Sequence, residues 1–163
     1  MKKKLKILCA PANEGGCSYY RLIAPMKKIN EEYEDQVEFR YNLNPLGVDD
    51  RMLKWKEDWD FADMKWADIV WTNNISNWGG PYTARVVGKA KEFGKFVHYD
   101  TDDLLTDLYK GHRLYNTYKE RNLEEITKFI YSHADLVTVT QTKFADRIKQ
   151  FCGGVLATLL ECA

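Results

Sequence analysis

Short apolar runs alternate with amphipathic segments along this chain, and that alternation constrains the fold more than any other feature. The segments between the runs carry apolar residues at helical spacing, while the runs are typical of strands in a buried sheet. Strands alternating with helices predict an α/β fold: a doubly wound, mainly parallel sheet of five or six strands with helices on both faces, as in a Rossmann-like three-layer sandwich. The runs cover residues 6–10, 37–41, 68–72, 95–99 and 135–140.

Length and composition indicate one ordinary globular domain. The chain has 163 residues, of which 45% are hydrophobic and 29% are charged, and both fractions are normal for a globular fold. Gly153 and Gly154 interrupt the last helical pattern. We therefore predict a Rossmann-like domain over residues 1–151 and an apolar tail, of no assignable secondary structure, over residues 152–163.

Charge and cysteine usage exclude several functional classes. The 24 basic residues balance 24 acidic ones, so net charge does not direct the protein to nucleic acid. No apolar run approaches the roughly 18 residues that span a membrane, and the apolar stretch after Lys4 is too short for a signal peptide. The four cysteines form no Cys-x-x-Cys pair. We expect a cytoplasmic protein with reduced thiols and no integral membrane segment.

The loop after the first run is the first candidate site. Gly15 and Gly16 precede a helix that begins near Ser18, the expected N-cap. Paired glycines let backbone amides approach a ligand, and a helix N-terminus favours anions. Arg21, in the first turn, is suited to clamping a phosphate or carboxylate. The loop matches neither G-x-G-x-x-G nor the P-loop, and a plain strand-to-helix turn explains the glycines equally well.

An acidic segment directly follows the fourth run. Asp100, Asp102 and Asp103 lie within four residues, so their carboxylates repel one another unless something compensates. A divalent cation, a helix N-terminus beginning at Leu104, or catalysis by one carboxylate with a raised pKa would each use them. If the strand order is 3-2-1-4-5, this segment and the first loop meet where ligands bind in such sheets.

Further polar residues follow the other strands. The loop over residues 73–80 combines amides with an indole, a pairing suited to carbohydrate, although a polar turn with a packed tryptophan would look the same. His112 and Arg113 lie in a segment that we expect to overhang the site. His98, between apolar neighbours, is typical of a core histidine. The residues of interest in the loop are Asn73, Asn74, Asn77 and Trp78.

Three longer stretches resemble one family. They are GGCSYYRLIAPMKKI (15–29), KFVHYDTDDLL (95–105) and SHADLVTVTQTKFADRIKQF (132–151). In that order and spacing they are similar to the N-terminal, acceptor-side domain of glycosyltransferases with two Rossmann-like domains, the GT-B architecture, especially phage and bacterial members of the family-four-like group.

The resemblance implies a domain that binds the sugar acceptor, while a second domain or partner chain holds the nucleotide-sugar donor. The isolated chain is then expected to be inactive, and the resemblance implies no metal and no cofactor beyond the donor substrate. It makes Asp100, Asp102 and Asp103 the expected catalytic residues. The expected substrate contacts are Gly15, Gly16, Tyr20 and Arg21, and the loop residues add Asn73, Asn74, Trp78, His112 and Arg113.

Two other functions fit the same residues. In a complete metal-dependent transferase of the GT-A type, Asp100-Thr101-Asp102 would hold Mn²⁺ or Mg²⁺ and a sugar diphosphate. The non-enzymatic alternative is a flavodoxin-like or receiver-like binding module, or an interaction domain that exposes the tryptophan-rich segment over residues 55–78. The apolar tail also predicts a homodimer or a partner chain, because exposed apolar patches drive association.

Overall fold

A six-stranded, wholly parallel sheet forms the centre of the protein. The computed structural model describes residues 3–49, 54–55, 59–74 and 81–158. The sheet has the order β2-β1-β5-β6-β7-β8, and β3 pairs with β4 in a separate antiparallel ribbon. The strands are β1 (Leu5–Ala10), β2 (Val37–Tyr41), β3 (Val48–Asp49), β4 (Lys54–Trp55), β5 (Ile69–Asn73), β6 (Phe96–Thr101), β7 (Leu136–Val139) and β8 (Val155–Thr158).

Helices cover both faces of this sheet. One helical region runs through residues 16–32 without a break, because a π-helical segment, Tyr19–Ile23, joins α1 to α2. The wide π turn precedes Pro25, which lacks the N–H of a regular helix. The helices are α1 (Gly16–Ser18), α2 (Ala24–Glu32), α3 (Ala62–Trp66), α4 (Tyr82–Glu92), α5 (Tyr115–Glu120), α6 (Leu123–His133) and α7 (Thr142–Ile148), which a 3₁₀ turn, Lys149–Phe151, extends.

Two apolar clusters lie on opposite faces of the sheet, because successive side chains along a strand point to opposite faces. The larger cluster packs α4, α6 and α7 against strand residues such as Val97 and Val137. The smaller one packs Leu22 and Met26 of the helical region against Cys9 and Trp71. The predicted α/β class, with helices on both faces, is therefore confirmed.

The strand order 3-2-1-4-5, on which the expected meeting of the two loops depended, is not the order of this sheet. The first predicted strand lies between the second and the third, so the third strand, β5, separates β1 from β6. The order instead begins 2-1-3-4-5, the other common doubly wound arrangement, whose crevice lies between the first and third strands. The loops after β1 and β6 are therefore not direct neighbours along the sheet.

Several local expectations also need correction. Ser18 is not the N-cap of the first helix, because the cap is Gly15 and Ser18 is buried inside the helical region. The helix α7 has Gln141 as its N-cap. The polar, tryptophan-rich segment over residues 51–65, whose pattern is helix-like, instead contains β4 and most of α3, with residues 51–53 and 56–58 outside the described part.

The start of the predicted tail joins the sheet. Val155–Thr158 forms β8, which pairs with β7. Gly153 and Gly154 allow this strand to dock, since a Cβ at Gly154 would lie 2.3 Å from the Asp135 carbonyl oxygen. Residues 159–163 lie outside the described part. Among the described helices, none is both long and apolar enough to cross a bilayer.

Candidate functional site at the carboxyl edge of the sheet

The end of β5 anchors the first loop. The Asn73 side chain is buried, and its Oδ1 accepts hydrogen bonds from the Ala12 backbone N–H at 3.1 Å and from the Ser18 hydroxyl at 3.3 Å. Asn73 is therefore placed at the carboxyl edge, as predicted, but its polar atoms serve the scaffold. Its role as a substrate contact stays a prediction.

Arg21 joins the first helical region to the end of β6. Its Nε donates to Asp100 Oδ2 at 2.6 Å, and its Nη2 donates to Asp100 Oδ1 at 2.8 Å. The Asp100 side chain is only 2% exposed. Burial raises the pKa of the Asp100 carboxyl, and the hydrogen bonds and positive charge of Arg21 oppose that rise. The two residues are brought together as expected, but they bind each other.

A polar chain continues from Asp100 across the sheet. The Thr138 hydroxyl donates to Asp100 Oδ1, and His98 Nε2 lies 3.0 Å from the same hydroxyl oxygen. Because the hydroxyl proton of Thr138 is donated to Asp100, His98 must donate its Nε2–H to the Thr138 hydroxyl oxygen. Burial lowers the pKa of His98 to about 4, so its imidazole is neutral. The ring stacks on Trp71 with centroids 5.1 Å apart.

Asp102 and Asp103 lie beyond this chain, in the turn after β6. The Asp102 carboxylate keeps a buried oxygen, Oδ1, without a hydrogen-bond partner in the described part of the chain. Its negative charge raises the pKa of the exposed Cys17 thiol, which brings the first loop next to the acidic turn. Burial and the charge of Asp102 raise the pKa of Asp103, while His112 opposes that rise. His112 therefore lies near enough to the acidic turn to act on Asp103, and its role as a substrate contact stays a prediction.

An open cleft of about 550 Å³ lies beside Asp102. Its size falls within the roughly 300–1,000 Å³ of small-molecule sites. Its walls come from the acidic turn and from α7 with the residues just before it, and they combine charged and amide groups with the apolar Phe144. The lining residues are Asp102, Leu104, Thr140, Gln141, Lys143, Phe144, Asp146 and Arg147. The cleft can accept a polar ligand whose hydroxyl groups reach Asp102.

The glycine loop itself is open. Asn13 Oδ1 accepts the Gly15 N–H at 2.7 Å, which fixes a tight turn before the helix. A Cβ on Gly16 would meet nothing within 4 Å, so the approach to this residue is free. Tyr20, on the next turn, is 76% exposed and contacts the Tyr19 ring edge to face. These residues present a surface at the edge, and whether it binds substrate stays a prediction.

The remaining predicted contacts are dispersed. Asn74 has a left-handed backbone with φ of 46°, and its buried Oδ1 has no partner among the described residues. Arg113 is exposed in the segment before α5. Trp78 and Asn77 lie outside the described part. The structure therefore brings Arg21 to Asp100 and Cys17 to Asp102, but it does not gather all the predicted residues into one site.

Sequence reasoning missed Thr138, Gln141 and Lys143. Thr138 gave a usable signal, because alternation along β7 puts it on the face opposite Val137 and Val139, where a polar residue needs a partner. Gln141 and Lys143 gave none, since exposed polar residues before and within a first helical turn are ordinary.

Comparison with known proteins leaves the family open. No protein-family model and no curated protein matches this chain.

Within the described ranges, no group of three or more His, Cys, Asp or Glu side chains is placed to hold a metal ion. Both Asp100 oxygens are already hydrogen-bonded, to Arg21 and Thr138, so an Asp-x-Asp metal site would have to break that pair.

Proposed function

We propose that this chain is a glycosyltransferase-like domain that binds the sugar acceptor, and that a second domain or a partner chain supplies the nucleotide-sugar donor. The acceptor occupies the cleft beside Asp102. The observation that carries the proposal is this open cleft of about 550 Å³, whose lining combines charged and amide groups with apolar ones and includes the Asp102 carboxylate. One oxygen of that carboxylate, Oδ1, is buried and has no hydrogen-bond partner in the described part of the chain. Sugar hydroxyls are donors that suit a carboxylate.

The three acidic residues have three different roles in this proposal. Asp100 is a positioning residue, because Arg21 and Thr138 take both of its oxygens. Asp102 binds the acceptor hydroxyl. Asp103 follows it in the chain and is the proposed general base, because burial raises its pKa and a base works best when its pKa approaches the working pH.

The test is titration with methyl glycosides and short oligosaccharides, followed by backbone NMR shifts. We expect at least one glycan to give saturable shifts around Asp102 and Lys143, and Asp102→Asn to weaken binding by about fivefold or more, as loss of a charged hydrogen bond does. Asp35→Asn, an exposed aspartate before β2, is the matched control. If no glycan shifts the cleft residues, the proposal is wrong.

A second arm separates the metal-dependent alternative. Nucleotide sugars are added with and without Mn²⁺, and thermal stability is measured, because ligand binding raises the unfolding midpoint. An increase that requires Mn²⁺ and disappears in Asp102→Asn would favour a complete GT-A-like enzyme. An increase independent of Mn²⁺ leaves the acceptor proposal to the glycan titration.

The strand order favours a second candidate, a flavodoxin-like binding module without catalytic activity. The order beginning 2-1-3-4-5 is that of flavodoxin-type sheets. Titration with FMN, followed by flavin fluorescence, tests this candidate. Saturable quenching, together with no response to any glycan, would favour the binding module over the transferase.

A further inference from the structure

A second pocket lies on the other side of the first loop, between the helical region and the end of β2. It holds about 460 Å³ and shares no residue with the cleft beside Asp102. Nothing in the proposed function uses it. Its lining residues are Glu14, Tyr19, Ile23, Met26, Lys27 and Tyr41.

The helical region supplies one continuous wall. Tyr19, Ile23, Met26 and Lys27 follow one another at spacings of four, three and one, so they share a helix face. Ile23 and Met26 are nearly buried and form an apolar floor, while the Tyr19 ring is 42% exposed. The π-helical segment contains the first two of these residues, and such segments are frequent at functional sites.

The opposite wall is an aromatic ring tied to a carboxylate. Tyr41, the last residue of β2, is 40% exposed, and its hydroxyl donates to Glu14 Oε1 at 3.0 Å. This hydrogen bond fixes the ring against the first loop. Burial and Glu14 raise the pKa of Tyr41 to about 12, so the phenol keeps its proton at neutral pH. Lys27 adds a cation 5.8 Å from the Tyr19 ring centroid.

These groups together select the class of ligand. Two exposed rings above an apolar floor suit a flat aromatic ring system, which stacks on phenol faces. The hydroxyl groups of a free sugar would lose their hydrogen bonds to water, and the apolar floor offers no hydrogen-bond partners in exchange. An alkyl chain would cover Glu14 and Lys27 without pairing them. A heteroaromatic base with attached ribose suits both the aromatic, apolar surface and the carboxylate. The base can stack on the rings, and hydroxyl and amino groups of the nucleoside can donate to Glu14.

The position in the fold points the same way. The pocket lies where β1 and β2 end, and doubly wound sheets bind ligands outside the carboxyl ends of their strands. Glu14 supplies a carboxylate at this edge of the sheet, from the loop after β1.

We propose that the pocket between Tyr19 and Tyr41 binds a nucleoside, with the base stacked on the tyrosine rings and the ribose hydroxyls donating to Glu14. The proposal does not depend on acceptor binding at Asp102, and it assigns no reaction to the pocket. A free nucleoside and the nucleoside part of a nucleotide share this chemistry.

Binding is tested by calorimetric titration of the full chain with adenosine, uridine, ADP, methyl glucoside and octyl glucoside. We expect a nucleoside to bind, ADP with the same base to bind comparably, and both glucosides to fail at this site. Binding of ADP without adenosine would overturn the proposal, because the phosphates would then carry recognition. Binding of octyl glucoside to this pocket, or no binding of either nucleoside, would also overturn it.

Two variants locate the site. Tyr19→Ala keeps a good helix former in the helical region and should weaken nucleoside binding by about fivefold or more, since base stacking is lost. Glu14→Gln should weaken it as well, because the charged acceptor is removed. Tyr33→Ala is the matched control, since Tyr33 caps the same helical region and is 46% exposed. Equal affinity in Tyr19→Ala and Tyr33→Ala would place the nucleoside elsewhere and overturn the proposal.

The proposal can fail without the proposed function failing. Asp102→Asn should not change nucleoside affinity, and Tyr19→Ala should not change glycan shifts, because the two cavities have separate linings. A nucleoside whose affinity depends on Asp102 instead of Tyr19 would contradict the assignment to this pocket.

Discussion

Arg21 and Asp100 form a bidentate ion pair across 79 residues of sequence, with Arg21 Nε and Nη2 each hydrogen-bonded to one carboxylate oxygen. The pair is nearly enclosed, since the side chains are 14% and 2% exposed. It connects the first helical region to β6 although β5 lies between β1 and β6. The long arginine side chain spans that distance, so the first loop and the acidic turn are held together by a side chain rather than by strand pairing.

Removal of Arg21 should therefore destabilise the protein strongly. In Arg21→Met the buried Asp100 carboxylate loses its counterion, and such losses cost about 3–5 kcal/mol. Arg147→Met, which removes the exposed Arg147–Asp107 pair at 3.0 Å, should cost less than about 1 kcal/mol. Urea denaturation measures both changes.

The double variant Arg21→Met with Asp100→Asn checks the cause. It removes both charges and should recover part of the stability that Arg21→Met loses, because the unpaired charge is the main penalty. If the double variant is no more stable than Arg21→Met, the loss comes from packing and the ion pair is not what holds the two segments together.

The strand segments were predictable because the hydropathy pattern that marks a strand is a property of neighbouring residues in the sequence. Val37–Tyr41 matches its predicted limits, since period-two alternation is a local signal. Strand order is not local. It depends on which strands pair with one another when the helices pack on the sheet, and local sequence patterns do not determine that pairing.

The site was predictable only in outline. The loop after β1 and the segment after β6 were expected to meet only if their strands were neighbours, which they are not. Arg21 connects the helix after the first loop to the end of β6 instead. The bonding of Asp100 to Thr138 could not be read from spacing, because the two lie 38 residues apart. Which of several neighbouring carboxylates stays free is decided by tertiary contacts.

His98 should make the protein less stable in acid. Burial lowers its pKa from 6.5 to about 4 in the folded state, so below pH 6.5 the unfolded chain binds a proton that the folded chain does not. Stability therefore falls as pH drops from 6.5 towards 4, by up to about 3 kcal/mol. Urea denaturation at several pH values measures the fall.

The contribution of His98 is isolated by difference. The raised pKa values of Asp100 and Asp103 favour the folded state as the pH falls, opposite to the effect of His98. The parent protein is therefore compared with His98→Gln, in which an amide N–H replaces the imidazole N–H as a donor. The variant should lack the histidine-dependent loss. In His133→Gln, which alters an exposed imidazole, the loss should persist. Parallel curves for the parent protein and His98→Gln would show that His98 is protonated equally in both states.

Cys17 should report directly on Asp102. The carboxylate raises the pKa of this exposed thiol, so less reactive thiolate is present at pH 8. Asp102→Asn should speed the reaction of Cys17 with iodoacetamide several-fold, whereas Asp35→Asn should not. Peptide mass spectrometry follows Cys17 separately from Cys9, which is buried and has a pKa of about 12. An unchanged rate in Asp102→Asn would contradict the contact between the first loop and the acidic turn.

Two glycines should respond oppositely to alanine. In Gly154→Ala the new methyl group would lie 2.3 Å from the Asp135 carbonyl oxygen and 2.6 Å from that of Ala134. Backbone atoms cannot move aside easily, so we expect a loss of about 1–3 kcal/mol as β8 shifts away from β7. In Gly16→Ala the methyl group meets nothing within 4 Å at the start of a helix, so stability should stay equal or rise slightly.

Thermal unfolding of the two variants measures the contrast, and amide hydrogen exchange in β8 shows whether the loss in Gly154→Ala is local to that strand. Gly16→Ala then serves the function as well, because it leaves the fold intact while adding a methyl group to the open glycine loop. Weakened glycan binding with unchanged stability would support close approach of a ligand to Gly16. Full stability in Gly154→Ala would mean that β8 tolerates a wider spacing and that Gly154 is not required for its docking.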